Sequence, residues 1–121
     1  MIRVVHLFDV KRGVEENGFV EWLDAKLSTA ARRFGCVDRK TWKLLDGFAG
    51  SYAHPKPLHD RPRYVNEAYW EDMDGPTAFR KWLTETPEGK EIHDRWFSSV
   101  ENHTDHDLLL RTSWTRRASG S

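Results

Sequence analysis

Apolar and polar positions change their spacing several times along the chain. In residues 2–10, IRVVHLFDV, alternation puts Ile2, Val4, His6, Phe8 and Val10 on one strand face and Arg3, Val5, Leu7 and Asp9 on the other. Both faces are partly apolar, which predicts a central strand covered on both sides. Over residues 18–34 the spacing becomes helical, with Phe19, Trp22, Leu23, Leu27, Ala30, Ala31 and Phe34 in one stripe. Gly35 just beyond it suits a helix C-terminus. CVDRKTWKLL follows as a second strand and RYVNEAYWE as a third, the latter with Tyr64, Asn66, Ala68 and Trp70 on one face. Pro76 suits a first helical turn. That helix carries Phe79, Trp82 and Leu83, and the TETPEG segment interrupts it at Pro87. A further helical stretch carries Ile92, Trp96, Phe97 and Val100. ENHTDH reads as a turn and DLLLRTSWTR as a fourth strand.

The order β-α-β-β-α-β predicts a ferredoxin-like α+β fold, a four-stranded antiparallel sheet with two helices on one face. The other face needs a cover. Val4, Phe8, Trp70 and Leu108 or Leu109 are its expected apolar content. Packing two such sheets face to face supplies the cover and predicts a homodimer. With 121 residues, one domain over 1–115 is expected, followed by a flexible tail, 116–121. Residues 46–63, with three prolines and two histidines, form a long loop expected to border a pocket mouth or reach the partner protomer.

Charge narrows the functional classes. Nineteen basic residues balance nineteen acidic ones and no basic stripe stands out, which argues against nucleic acid. No apolar run approaches a membrane span. The lone Cys36 rules out an internal disulfide and fits a cytoplasmic location. Six tryptophans are many for this length. Large rings serve a small core and a ligand pocket equally well.

The stretch YWEDMDGPTAFRKWLTETPEGKEIH resembles a motif of the dimeric α+β barrel superfamily: Trp-x-Asp, a gap, Phe-x-x-Trp-Leu and a Thr-Pro break. The motif recurs in antibiotic-biosynthesis monooxygenases, EthD-like proteins and heme-degrading monooxygenases. The resemblance implies a pocket between sheet and helices, walled by Trp70 and His6. It also implies a small aromatic or polyketide-like substrate and a cofactor-independent monooxygenation, with acid–base cyclisation or isomerisation as an alternative.

His6 is the candidate catalytic base, since an imidazole among apolar neighbours can exchange a proton near neutral pH. The competing reading is a hydrogen-bonded core histidine. Asn66 and Tyr64 are placed to orient a phenolic or carbonyl oxygen. Phe8, Trp82 and His93 complete the expected substrate-binding set. His93 also stands near the axial histidine of the heme-degrading branch, which keeps heme as an alternative cofactor to none. That branch, however, carries asparagine near the position of His6. A non-catalytic ligand-binding barrel is the remaining alternative. The histidines at 54, 59, 103 and 106 lie in apparent loops and do not make up a metal site, which needs three or four converging ligands.

Overall fold

Strand β1 (Ile2–Val10) lies inside the sheet, as its two-sided apolar pattern requires. The computed structural model describes residues 1–45 and 61–114. Its elements after β1 are α1 (Glu16–Arg32), β2 (Asp38–Lys43), β3 (Tyr64–Trp70), α2 (Asp74–Glu85), α3 (Pro87–Ser99) and β4 (Val100–Leu109). The strands form one antiparallel sheet in the order β2-β3-β1-β4. This is the ferredoxin-like arrangement. The loop prediction for 46–63, with His54 and His59, and the tail prediction for 116–121 fall largely or wholly outside the described residues.

Local features bound α1 and open α3. The Glu15 carboxylate accepts from the Gly18 amide at the start of α1. Beyond its end, Gly35 takes a left-handed φ of 95°, which a residue without Cβ adopts freely. Pro87 does not merely interrupt a helix. It opens α3 in the first turn, where its missing N–H costs nothing, and Thr86 Oγ1 caps that turn by accepting from Gly89 N at 3.0 Å.

The helices cover one face of the sheet. Phe19, Leu23, Leu27, Ala30 and Ala31 of α1 pack with Phe79 and Leu83 of α2 and Ile92 and Trp96 of α3. The sheet meets them with Ile2, Val4, Phe8, Tyr64 and Trp70. Val4, Phe8 and Trp70 therefore belong under the helices, not on the open face to which the sequence reading had assigned them. Strand alternation allows no other result, because these residues share a face with His6 and Asn66. The open face instead carries Val5, Leu7, Val65, Tyr69, Trp42 and Leu108.

A second correction concerns β4. The segment ENHTDH is not a turn but the first half of this strand. Its alternation is hidden because both faces are polar, the helix-facing His103 and Asp105 as well as the outer Thr104 and His106. Of the residues expected to continue the strand, 110–114 lie outside it, with Leu110 N still donating to Met1 O at 3.1 Å, and 115–116 fall outside the described residues.

Candidate active site

His6 sits in a row across the sheet. Asn66 of β3 lies directly beside it on one side and Asp105 of β4 on the other. All three face the helices. A register shift between Leu7 and Asp9 sets two residues of β4, Asn102 and His103, against one residue of β1. Asn102 takes a φ of 50°, a left-handed conformation that asparagine tolerates better than most residues. The bulge brings the His103 ring beneath the helices, where its Nε2 lies 2.8 Å from His6 Nδ1. Helical spacing on α3 supplies the roof. His93, Trp96 and Phe97 are three and four residues apart and share one side of the helix. The His6 ring lies 4.6 Å from that of Trp96, and His103 stacks on Phe97 at 4.8 Å.

These groups border a cavity of about 270 Å³ between sheet and helices. Its floor includes Val4 and Ala68, paired neighbours on β1 and β3. Ala68 is the small residue of its strand face, flanked by Asn66 and Trp70, and its short side chain leaves room above the sheet. His6, Asn66, Trp70 and His93 all line this space. Tyr64, Phe8 and Trp82 do not. Phe8 is fully buried and stacks on Tyr64 at 5.7 Å. The Tyr64 hydroxyl donates to Glu16, and burial together with that bond pushes its pKa up. Trp82 stacks on Phe79 at 6.0 Å and receives the Arg33 guanidinium 4.7 Å from its ring centre.

The sequence reading missed four polar residues of the site: His103, Asp105, Arg80 and Arg39. The first two were hidden by reading β4 as a turn. His106, their neighbour, points to the opposite sheet face. Arg80 of α2 reaches down to Asp107 with Nη1 3.0 Å from Oδ2, and to Asp105 at 3.7 Å. Arg39 of β2 is the least visible in sequence, since nothing in DRKTWK marks it as buried. Its side chain is only 5% exposed. Nη1 donates to Ser28 Oγ at 2.9 Å, while Nη2 has no partner.

Burial dominates the electrostatics. It pulls His6 down to about 3, helped by the neighbouring His103, Arg80 and Arg39, with Asp107 opposing. Burial also lowers His103 and raises the Asp105 carboxyl. Both imidazoles are therefore neutral at physiological pH. In the His6–His103 contact one ring N–H donates to the other ring's lone pair. If His6 donates through Nδ1, its Nε2 lone pair is left on the side of Asp105, 3.6 Å away.

These shifts have a consequence for stability. Unfolded histidines titrate near 6.5, so below that pH the unfolded chain binds protons that folded His6 refuses. Stability from this source is complete above about pH 6.5 and falls as the pH drops toward 3. Melting temperatures measured from pH 7 to pH 4 should fall, and should fall less in His6→Asn. An equal fall in both proteins would contradict the shift.

Heme does not fit this space. At about 270 Å³ the cavity falls below the roughly 300–1,000 Å³ of usual small-molecule sites, and the Phe97 ring packs 4.3 Å from that of His93. Among the described residues, no three His, Cys, Asp or Glu side chains converge as metal ligands.

Known structures share this architecture. The Arabidopsis thaliana protein At3g17210 matches 95% of this chain over 100% of its own length, at 14% identity and a TM-score of 0.69. The chain has the fold of the dimeric α+β barrel proteins. A hydroxynitrile lyase from Passiflora edulis matches 94% of the chain over 96% of its own, at 11% identity and a TM-score of 0.64. A Deinococcus radiodurans protein, provisionally described as an antibiotic biosynthesis monooxygenase, matches 98% over 100%, at 11% identity and a TM-score of 0.63. Further matches are described as dimeric ferredoxin-like proteins, including one from Jannaschia. No family model and no curated protein matches the sequence.

Proposed function

We propose that this protein is a small-molecule enzyme working by acid–base catalysis on an aromatic hydroxy or carbonyl compound, with His6 as the proton-transfer group. The observation that carries this reading is the contact between two neutral imidazoles, His6 nearly buried and His103 half-buried, at the edge of an otherwise largely apolar cavity. A histidine with a lowered pKa is a weak base in the empty site. It becomes a stronger one when negative charge develops beside it, because ion pairing then offsets the cost of burying its charge. His6 Nε2 would take the hydroxyl proton of the substrate. The resulting imidazolium would be held by His103, accepting from Nδ1–H, and by Asp105 near Nε2. Return of the same proton to carbon or to a leaving group completes a lyase, cyclase or isomerase cycle without an external cofactor. Trp70 and Trp96 would hold the ring and exclude water.

The likeness to the Passiflora lyase supports this chemistry. The likeness to the Deinococcus protein supports a second reading, cofactor-independent monooxygenation, in which the same base forms a phenolate that reduces dioxygen. A screen of aromatic hydroxynitriles, phenols and polyketide-like ketones, run with and without oxygen, separates the two. Turnover without oxygen supports acid–base catalysis, and turnover only with oxygen supports oxygenation. Turnover that survives in His6→Asn unchanged would refute both.

The working unit would be a homodimer. Trp42 and Leu108 on the open sheet face are 54% and 42% exposed, and together with Val65 and Tyr69 they form a surface suited to a second copy. Sedimentation should give twice the 14.2 kDa chain mass, and Trp42→Asp combined with Leu108→Asp should give monomer. A monomeric parent protein at micromolar concentration would contradict this assembly.

A further inference from the structure

Among the described residues, Asn102 is the one non-glycine with a positive φ, 50°. Such outliers carry a conformational cost and cluster where a structure holds functional groups. The role of Asn102 is visible in the register of β4 on β1. Val100 pairs with Val10 and faces the helices, and Glu101 pairs with Asp9 and faces away. Unbroken alternation from there would carry Asn102, Thr104 and His106 to the helices and turn His103, Asp105 and Asp107 outward. The extra residue at the bulge reverses the phase. Asp105 pairs with His6 and Asp107 with Val4, both beneath the helices, while Thr104 and His106 face away. Every polar group that β4 lends to the site thus depends on the backbone conformation at Asn102.

That conformation is tethered. Asn102 Nδ2 donates to Asp9 Oδ2 at 3.1 Å. The other oxygen of the same carboxylate, Oδ1, accepts from the Arg63 amide at 2.8 Å. Asp9 of β1 therefore joins the bulge of β4 to the residue that precedes β3. Asp9 also stands directly opposite Glu101, and like charges so placed disfavour strand pairing. Pairing alone would favour an uncharged residue at position 9. The two donors that its oxygens hold account for the carboxylate.

We infer that Asp9 and Asn102 are positioning residues for the imidazole pair: the Asp9 carboxylate fixes the Asn102 conformation, and that conformation sets His103 against His6. This deepens the acid–base reading, on which it rests for its effect on turnover. Asp9 itself faces away from the cavity and touches no reacting group. Its influence runs through the backbone. Stacking on Phe97 holds the face of the His103 ring. It leaves the ring free to slide in its own plane, the direction along which Nε2 meets His6 Nδ1 at 2.8 Å. That direction is set by the chain at Asn102.

Nitrogen NMR of histidine-labelled Asp9→Ala tests this, together with its turnover of the best substrate from the aromatic screen. The scalar coupling across the His6–His103 N–H···N bond should be lost. The kcat should fall on the order of 10- to 100-fold, the scale of a small misplacement at a reacting centre, with KM little changed. Asp9→Asn should restore both, since its Oδ1 still accepts from Arg63 and its amide meets Asn102 Oδ1 once that side chain turns over. Asn102→Gly in the Asp9→Ala background should also restore the coupling, because glycine takes a left-handed φ without help. Should Asp9→Ala not fold, Asn102→Ala takes its place, removing the tether while Asp9 keeps Arg63. Coupling and kcat retained in Asp9→Ala, or a loss that Asp9→Asn does not repair, would overturn the inference. Coupling retained with turnover lost would also overturn it and leave the acid–base reading standing. Coupling lost with turnover unchanged would support the positioning role and refute the acid–base reading. A parent protein without the coupling would overturn both.

Discussion

Replacing His6 by asparagine is expected to lower kcat on any substrate of the cavity by about 10²–10⁴-fold, the usual contribution of a positioned acid–base group. Asparagine keeps a polar side chain opposite Asn66 and can still donate toward His103, but it cannot take up a proton. KM should change little, because His6 forms only one part of the cavity wall. His103→Gln should give a smaller loss. His103 meets His6 at 2.8 Å and orients its tautomer, and in this account it does not itself take the substrate proton. A His6→Asn enzyme with undiminished turnover would place the chemistry elsewhere and leave His6 as a core histidine.

Phe8→Ala is expected to destabilise the fold by about 3–5 kcal/mol, the cost of removing a buried phenyl ring and leaving its cavity. Phe8 is fully buried and meets Phe19 edge-on at 6.5 Å as well as stacking on Tyr64. Its neighbours come from a strand pair and a helix and cannot all move in to fill the gap. Denaturant unfolding should show the loss directly. The two substitutions separate the two ends of one strand face. At His6 the effect should fall on activity, and two residues away at Phe8 it should fall on stability. A Phe8→Ala protein of near-native stability with altered substrate affinity would instead make Phe8 part of the substrate wall.

How far the sequence disclosed this depended on what each pattern had to encode. The two central strands, β1 and β3, and helix α1 were legible because most of their buried residues are apolar and recur at periods of 2 or 3.6. The same holds for His6, Asn66 and Trp70, which alternation puts on one face. β4 was not legible. Its helix-facing residues His103, Asp105 and Asp107 and its outer residues Thr104 and His106 are all polar, so the alternation has no contrast. The bulge that turns His103 inward leaves only an asparagine as its trace. Arg39 was invisible for a related reason. A buried cation looks in sequence like any surface arginine, and only the three-dimensional neighbours Ser28 and Asp24 distinguish it. The polar residues at the site broke the rules that located the core, which is where functional residues tend to depart from pattern.

The most direct test of the account is a pH titration of histidine-labelled protein by nitrogen NMR. The account predicts that His6 stays neutral down to about pH 3 and shows a scalar coupling to His103 across their N–H···N bond. Addition of a phenol that enters the cavity should shift the signals of both rings. Two histidines titrating independently near 6.5, with no coupling between them, would contradict the hydrogen-bonded imidazole pair and the acid–base reading built on it.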